Sequence, residues 1–235
     1  MNEWNPPLKP AHLCESRLIA AILDGTFPIN STLPAERELA VRLGVTRPTL
    51  REVLSRLDSA GWLEIHHGKP TRVRDYWREG NLMVLAALAQ SGSQLSPDFT
   101  DYMLEVRELL APAYTRKAIE FNQQEVIALL LPYPVLSDDA ETYTKADWCL
   151  QYEMTLLSRN PVFTLIYNSF MDLYGTLGAR YFSNIENRAH SHAFYGDLLG
   201  DARRGDSAAA EELVRHTMRE SRERWKQLYR NSTES

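Results

Sequence analysis

The spacing of apolar positions divides the chain into a short mixed segment and a long helical one. Residues 11–24 (AHLCESRLIAAILD) place Leu13, Leu18, Ala21 and Ile22 at helical intervals, and Gly25 ends the run. Pro34 opens the next helix, AERELAVRLG, with acids in its first turn and Gly44 just past its end. Thr46 is a good N-cap for RPTLREVLSRLDSA. Pro48 sits in the first turn of that helix, where a missing N–H costs nothing, and Gly61 stops it. WLEI and TRVR then read as two short strands around the turn HHGKP. Two short helices joined by Gly-Val and followed by a hairpin predict a winged helix-turn-helix. Leu39, Ala40, Leu43, Val45, Leu50, Val53, Leu54 and Leu57 supply its core.

Past Trp77 no strong period-2 stretch remains. The pattern predicts helices near 81–90, 97–121, 123–131, 139–158, 162–182, 186–204 and 207–230. Ser96-Pro97 and Asn160-Pro161 are start signals, and Pro112 predicts a kink. In the last helix Leu213, Met218, Trp225 and Leu228 share a face, within about a turn. The expected fold is mainly α: a winged helix-turn-helix with a small β-hairpin wing over residues 1–78, then an all-α bundle over 79–235. The bundle has roughly 150 residues, enough to bury its own core. Tyr76 and Trp77 at the boundary replace the Gly/Ser linker of a loosely tethered pair.

Charge sharpens this division. The 235-residue chain carries a net charge of −5, which alone argues against a nucleic-acid partner. Yet residues 33–74 hold 8 Lys+Arg against 5 Asp+Glu, whereas residues 79–235 hold 15 against 22. A basic segment on an acidic body is the asymmetry expected of a DNA-binding head. The longest apolar run, Leu82–Ala89, is far short of the ~20 residues a membrane span needs. The start MNEWNPPLKP lacks the layout of a signal peptide. Cys14 and Cys149 form no CxxC pair. A soluble cytoplasmic protein without a membrane partner is expected. No GxSxG, no glycine-rich phosphate loop and no nucleophile-plus-base set is present, so neither an enzyme nor catalytic residues are expected.

A recognition helix turns its first residues toward base edges and phosphates. Thr46, Arg47, Thr49 and Arg51 form that face here, and Arg37 on the preceding helix can reach the same groove. Arg47 and Arg51, four residues apart, repel each other unless a polyanion relieves the cost. Arginine also bridges guanine O6 and N7. In the wing, His66, His67, Gly68 and Lys69 combine cations with a glycine that lets backbone approach a narrow groove. Any one arginine pair is ordinarily a solvated face. The ordered succession of two capped helices and a basic hairpin is much more specific.

The run LPAERELAVRLGVTRPTLREVLSRLDSAGWLEIHHGKPTRV resembles the winged-helix head of the GntR family of bacterial transcription regulators. GWLEIHHGKPTRV points to its fatty-acid-regulator subgroup. LYGTLGARYF, AFYGDLL and ESRERW extend the resemblance thinly through the body. It implies a homodimer on palindromic double-stranded operator DNA. It further implies a helical effector and dimerisation domain, and a long-chain acyl-CoA effector, not a bound cofactor, that weakens DNA binding. Such regulators repress fatty-acid degradation genes and activate unsaturated fatty-acid synthesis genes. Carried over by position, the DNA contacts are Arg37, Thr46, Arg47, Thr49, Arg51, His67, Gly68 and Lys69. Pro48 stands where the family pattern has a threonine. Arg107, Ser221, Trp225 and Arg230 match effector positions, while Met218 and Arg222 fall where small residues are expected.

The bundle permits two ligand readings. Leu104, Leu165, Phe170, Leu173, Tyr174, Leu177, Tyr181, Phe194 and Trp225 supply an apolar tunnel wall, though periodicity alone makes any of them ordinary core. Ser221 lies one turn before Trp225 on the same side, where a hydroxyl reaches a thioester carbonyl. The alternative is a regulator of the same family that senses a small carboxylate through a divalent metal. Many relatives of the helical domain bind such an ion through one aspartate and three histidines. Asp147 and His216 match two of those positions, but Gln151 and Tyr195 occupy the others, and two ligands are too few. No metal is expected.

Overall fold

The computed structural model describes residues 10–66, 68–90 and 97–233, and the chain divides into two compact units, Met1–Gln94 and Leu95–Ser235. The first contains α1 (Pro10–Leu23), α2 (Glu36–Leu43), α3 (Arg47–Ala60), β1 (Leu63–Glu64), β2 (Arg72–Val73), α4 (Tyr76–Glu79) and α5 (Leu82–Gln90). Helices α1 and α3 pack on each other. The former buries Cys14, Leu18, Ile19 and Ile22, the latter Leu50, Val53, Leu54, Leu57 and Ala60. Six of the eight expected core positions are buried; Leu43 and Val45 are half-buried because they flank the surface turn. That turn is set by Gly44, whose φ of 70° is left-handed. The N–H groups of Gly44 and Val45 return to the carbonyls of Val41 and Ala40 at 3.2 and 3.1 Å, closing α2.

The hairpin is antiparallel, with Leu63 opposite Val73 and Glu64 opposite Arg72, and Thr32 bridges Arg72 from its other side. Each strand has two residues where four were expected: Ile65 N–H goes to Asp58 Oδ1 at 3.3 Å and Thr71 O accepts from Leu33 N at 2.8 Å, outside the ladder. Arg72 ties the hairpin down through Glu64 at 2.6 Å, Asn30 at 2.7 Å and Glu79 at 3.1 Å. Trp62 is fully buried, with its ring 4.7 Å from that of Tyr76. Gly61 ends α3 at φ 93°, and a Cβ there would lie 2.8 Å from the Cα of Gly80, so only glycine fits.

The second unit contains α6 (Pro97–Leu130), a 3₁₀ turn (Tyr133–Val135), α7 (Ala140–Leu157), α8 (Pro161–Asn168), α9 (Met171–Phe182), α10 (Ile185–Arg204) and α11 (Ser207–Thr233). Helix α6 is its centre, with α7, α10 and α11 packed on it. Polar side chains start the helices: Asp139, Asn160 and Asn184 accept from the N–H groups of Thr142, Val162 and Glu186 at 2.8, 3.1 and 2.7 Å. At Pro112, where a kink was expected, the torsions stay in the helical range. The torsions leave the helical range at Asn122 instead (φ −145°, ψ 49°), where two separate helices were anticipated to meet. Asn122 donates to Leu157 O at 2.5 Å, and Arg159 donates to Phe121 O and to Asn122 Oδ1, both at 3.3 Å. These bonds occupy polar groups at the break.

The helix anticipated over 162–182 is two helices, parted at Ser169 and Phe170. Their N–H groups turn back to Ile166 O and Tyr167 O at 3.1 and 3.0 Å, and the Ser169 hydroxyl bonds Leu165 O at 3.1 Å. Asn168 and Ser169 are residues whose side chains compete for backbone groups. Arg222 of α11 forks onto Asp101 of α6 at 2.6 and 2.8 Å and reaches Glu105 at 2.8 Å, clamping the last helix to the central one. Among the described residues no helix is long and apolar enough to cross a membrane.

Candidate functional site

The start of α3 is an exposed basic edge. Thr46 caps the helix: its Oγ1 accepts from Thr49 N at 3.3 Å and lies 2.9 Å from the Thr49 hydroxyl. Arg37, Thr46, Arg47 and Arg51 are exposed and Thr49 is half-buried. Arg51 donates to Glu36 of α2 at 2.7 Å, which holds its guanidinium beside the helix start. Arg37 and Arg47 make no ion pair among the described residues, so both present full charges to a partner. In the wing loop Gly68 adopts φ 73° and Lys69 is exposed. His67 lies outside the described residues.

The second unit encloses a mostly apolar cavity of about 1070 Å³, counting the space at its mouth. Its wall includes Leu104, Phe170, Tyr174, Leu177, Tyr181, Phe194 and Trp225, seven of the nine residues anticipated. Leu165 is a correction: it is 63% exposed and absent from the lining. On α8 the inward residues are Phe163, Ile166 and Tyr167, at intervals of three and one, which leaves Leu165 on the outer face. The Leu173 side chain lies outside the described residues. Three of the four anticipated effector residues, Arg107, Ser221 and Trp225, line this one cavity. The Arg230 side chain lies outside the described residues. Met218 is in the wall too, whereas Arg222 is taken up by the clamp on α6.

A polar cluster is set into this apolar wall, and the sequence did not single it out as such. Asp147 of α7, 4% exposed, accepts from Arg107 Nη2 of α6 at 2.7 Å and from Tyr195 of α10 at 3.0 Å. Tyr174 of α9 also donates to it. One carboxylate thus gathers four helices. Burial opposes the Arg107 charge, but the Asp147 carboxylate together with Tyr167 and Tyr114 outweighs it and raises the arginine's pKa above its usual value. Burial pushes the hydroxyl pKa of Tyr114, Tyr167 and Tyr195 upward, so each keeps its proton. Tyr114 donates to Gln151 at 2.5 Å. Ser221 lies beside the Tyr181 hydroxyl. The i, i+3, i+4 spacing of Phe163, Ile166 and Tyr167 carries the signal for Tyr167.

The residues do not fit the divalent-metal alternative. Asp147 already faces a guanidinium, and Gln151 is held by Tyr114. The His216 side chain is 65% exposed beside Glu220 and is not in the cavity wall. His192 bonds Tyr143 at 3.2 Å. The donor set is therefore dispersed, with a fixed cation where the ion would sit.

Two family models together cover most of the chain. Residues 14–73 match the model of bacterial regulatory proteins of the gntR family, and residues 74–234 match the FadR C-terminal domain. A fatty acid metabolism regulator protein of Shewanella pealeana is 42% identical over 189 residues, 80% of this chain and 79% of that one. The protein of that name from Shewanella baltica OS155 is 37% identical over 219 residues (93% and 92%). That of Cronobacter sakazakii is 37% identical over 222 residues (94% and 93%). A solved structure of Lar, described as controlling the Listeria monocytogenes agr system, superimposes with a TM-score of 0.64 over 97% of this chain and 100% of that one. At 18% identity that likeness carries the fold alone. The chain belongs to the GntR family of bacterial regulatory proteins. It is a DNA-binding transcription regulator, not an enzyme. Its particular type is that of the FadR regulators of fatty-acid metabolism.

Proposed function

We propose that this regulator binds a palindromic operator as a homodimer and is released when long-chain acyl-CoA enters the helical unit. The reading covers repression of fatty-acid degradation genes and activation of unsaturated fatty-acid synthesis genes. Arg37, Thr46, Arg47, Thr49, Arg51, His67, Gly68 and Lys69 are the proposed DNA contacts. Guanidinium groups at the start of α3 read base edges, the wing cations hold phosphates, and two heads set about 34–36 Å apart match a two-fold operator. Arg107, Ser221, Trp225 and Arg230 are the proposed effector contacts, with the acyl chain in the apolar cavity.

The observation that carries the effector reading is the cavity itself, mostly apolar and lined by Arg107, Ser221 and Trp225 together. An effector must bind the DNA-competent and DNA-incompetent states unequally, and a coupling of about 1–3 kcal/mol changes operator affinity 5–150-fold. The test is a gel shift of protein on operator with long-chain acyl-CoA added. Release at micromolar ligand is expected. Unchanged retention of DNA removes the acyl-CoA reading and leaves the DNA reading standing.

A further inference from the structure

Among the described residues the cavity wall holds three hydrogen-bond donors without an acceptor, the Tyr181 hydroxyl and two that adjoin the Asp147 cluster. Arg107 Nε and the Tyr167 hydroxyl are buried, line the same cavity, and find no hydrogen-bond partner among the described residues. Tyr167 is 8% exposed, and its ring lies against that of Trp148 at 4.3 Å, nearly parallel, so the hydroxyl is not free to swing into water. Burial, with Tyr114 next in effect, keeps that hydroxyl protonated, and a guanidinium has no acceptor atom at all. The neighbouring acceptors are engaged: both Asp147 oxygens receive Arg107, Tyr174 and Tyr195, and Gln151 Oε1 receives Tyr114. Unmet donors in an apolar surround are costly, and a molecule that enters this cavity and brings an acceptor relieves that cost.

Charge decides which acceptor fits. Arg107 is already neutralised by Asp147 at 2.7 Å. A carboxylate would enter as a third charge with no counter-ion of its own, in surroundings that solvate it poorly. An uncharged carbonyl oxygen accepts the same hydrogen bonds without that cost.

We propose that Arg107 Nε and the Tyr167 hydroxyl are the donors for an uncharged carbonyl carried into the cavity on a hydrocarbon chain. The cavity thereby distinguishes acyl thioesters from carbonyl-free thioethers and from free carboxylates. The inference rests on the acyl-thioester reading above and adds Tyr167 as a specificity-determining residue.

The test is isothermal titration of the full-length protein with palmitoyl-CoA, with S-hexadecyl-CoA, which lacks the carbonyl, and with palmitate. Palmitoyl-CoA is expected to bind about 5–30-fold more tightly than the thioether, the worth of one or two buried hydrogen bonds. Tyr167→Phe should remove most of that ratio and leave thioether affinity unchanged. The wild-type comparison needs no variant to fold. Equal affinity for thioester and thioether overturns the proposal while sparing the acyl-CoA reading. So does equal loss of both in Tyr167→Phe, which marks a structural tyrosine, or palmitate binding as tightly as palmitoyl-CoA. If no acyl-CoA binds, the proposal falls together with the reading beneath it.

Discussion

Replacing Asp147 by Asn tests whether the charge cluster holds the helical unit together. The substitution preserves size but leaves the Arg107 guanidinium, whose side chain is 19% exposed, without a counter-charge. It also weakens the acceptor for Tyr174 and Tyr195. Breaking a buried ion pair from one side costs about 3–5 kcal/mol. In a unit of this size each kcal/mol lowers Tm by roughly 3 °C, so a fall of about 9–15 °C is expected. Urea unfolding followed by circular dichroism gives the same quantity from the midpoint. The control is Arg107→Met with Asp147→Leu. It removes both charges and orphans only the two tyrosine hydroxyls, at about 1 kcal/mol each. The double variant should therefore be more stable than Asp147→Asn alone. An Asp147→Asn protein within about 1 kcal/mol of the parent, or a double variant as unstable as the sum of its singles, would refute the reasoning.

Two further outcomes are expected. Arg47→Ala should cost about 1–3 kcal/mol on operator DNA and relax base preference, whereas Lys69→Ala should weaken all sequences alike and lower the salt slope by about 1. Fluorescence titrations on operator and scrambled duplex at several salt concentrations separate the two, and identical behaviour would show the roles wrongly divided. Burial, assisted by Arg224, lowers the pKa of His190, against the opposing pull of Glu220. The unfolded chain then takes the proton first, near the ordinary histidine value of about 6.5. Stability is thus unaffected by this group above pH ~7.5 and declines as pH falls through 6.5 toward the lower folded value. His190→Asn should flatten that part of the stability–pH curve, measured by urea unfolding from pH 8 to 5; an unaltered slope would place the titration elsewhere.

The winged head was legible because its signals are local. Thr46 and Gly44 act on the residues beside them, and both do in the fold what their chemistry demands. The body was legible only in outline. Asn160-Pro161 marked one helix start, but the division between α8 and α9 hangs on Asn168 and Ser169, residues a helix tolerates. Leu165 was put in the wall for its apolar side chain, although helical spacing back from Phe170 reaches Tyr167, Ile166 and Phe163 instead. The pairing of Arg107 with Asp147 spans 40 residues, and no periodicity along one helix reveals a partner on another. Likewise Arg222 stood out as too large for its place, and only the fold showed Asp101 and Glu105 waiting for it.

The contact between Gly61 and Gly80 has a consequence for how such a molecule can change over generations. The tail of the 14-residue helix α3 is mounted main chain against main chain, at a spacing no side chain can adjust. If Arg47 reads bases as proposed, substitutions around it retarget the protein to other promoters without disturbing how the helix is aimed. A side chain at either glycine alters the aim and leaves every reading residue in place. New preference and outright failure are thus assigned to opposite ends of one short rod.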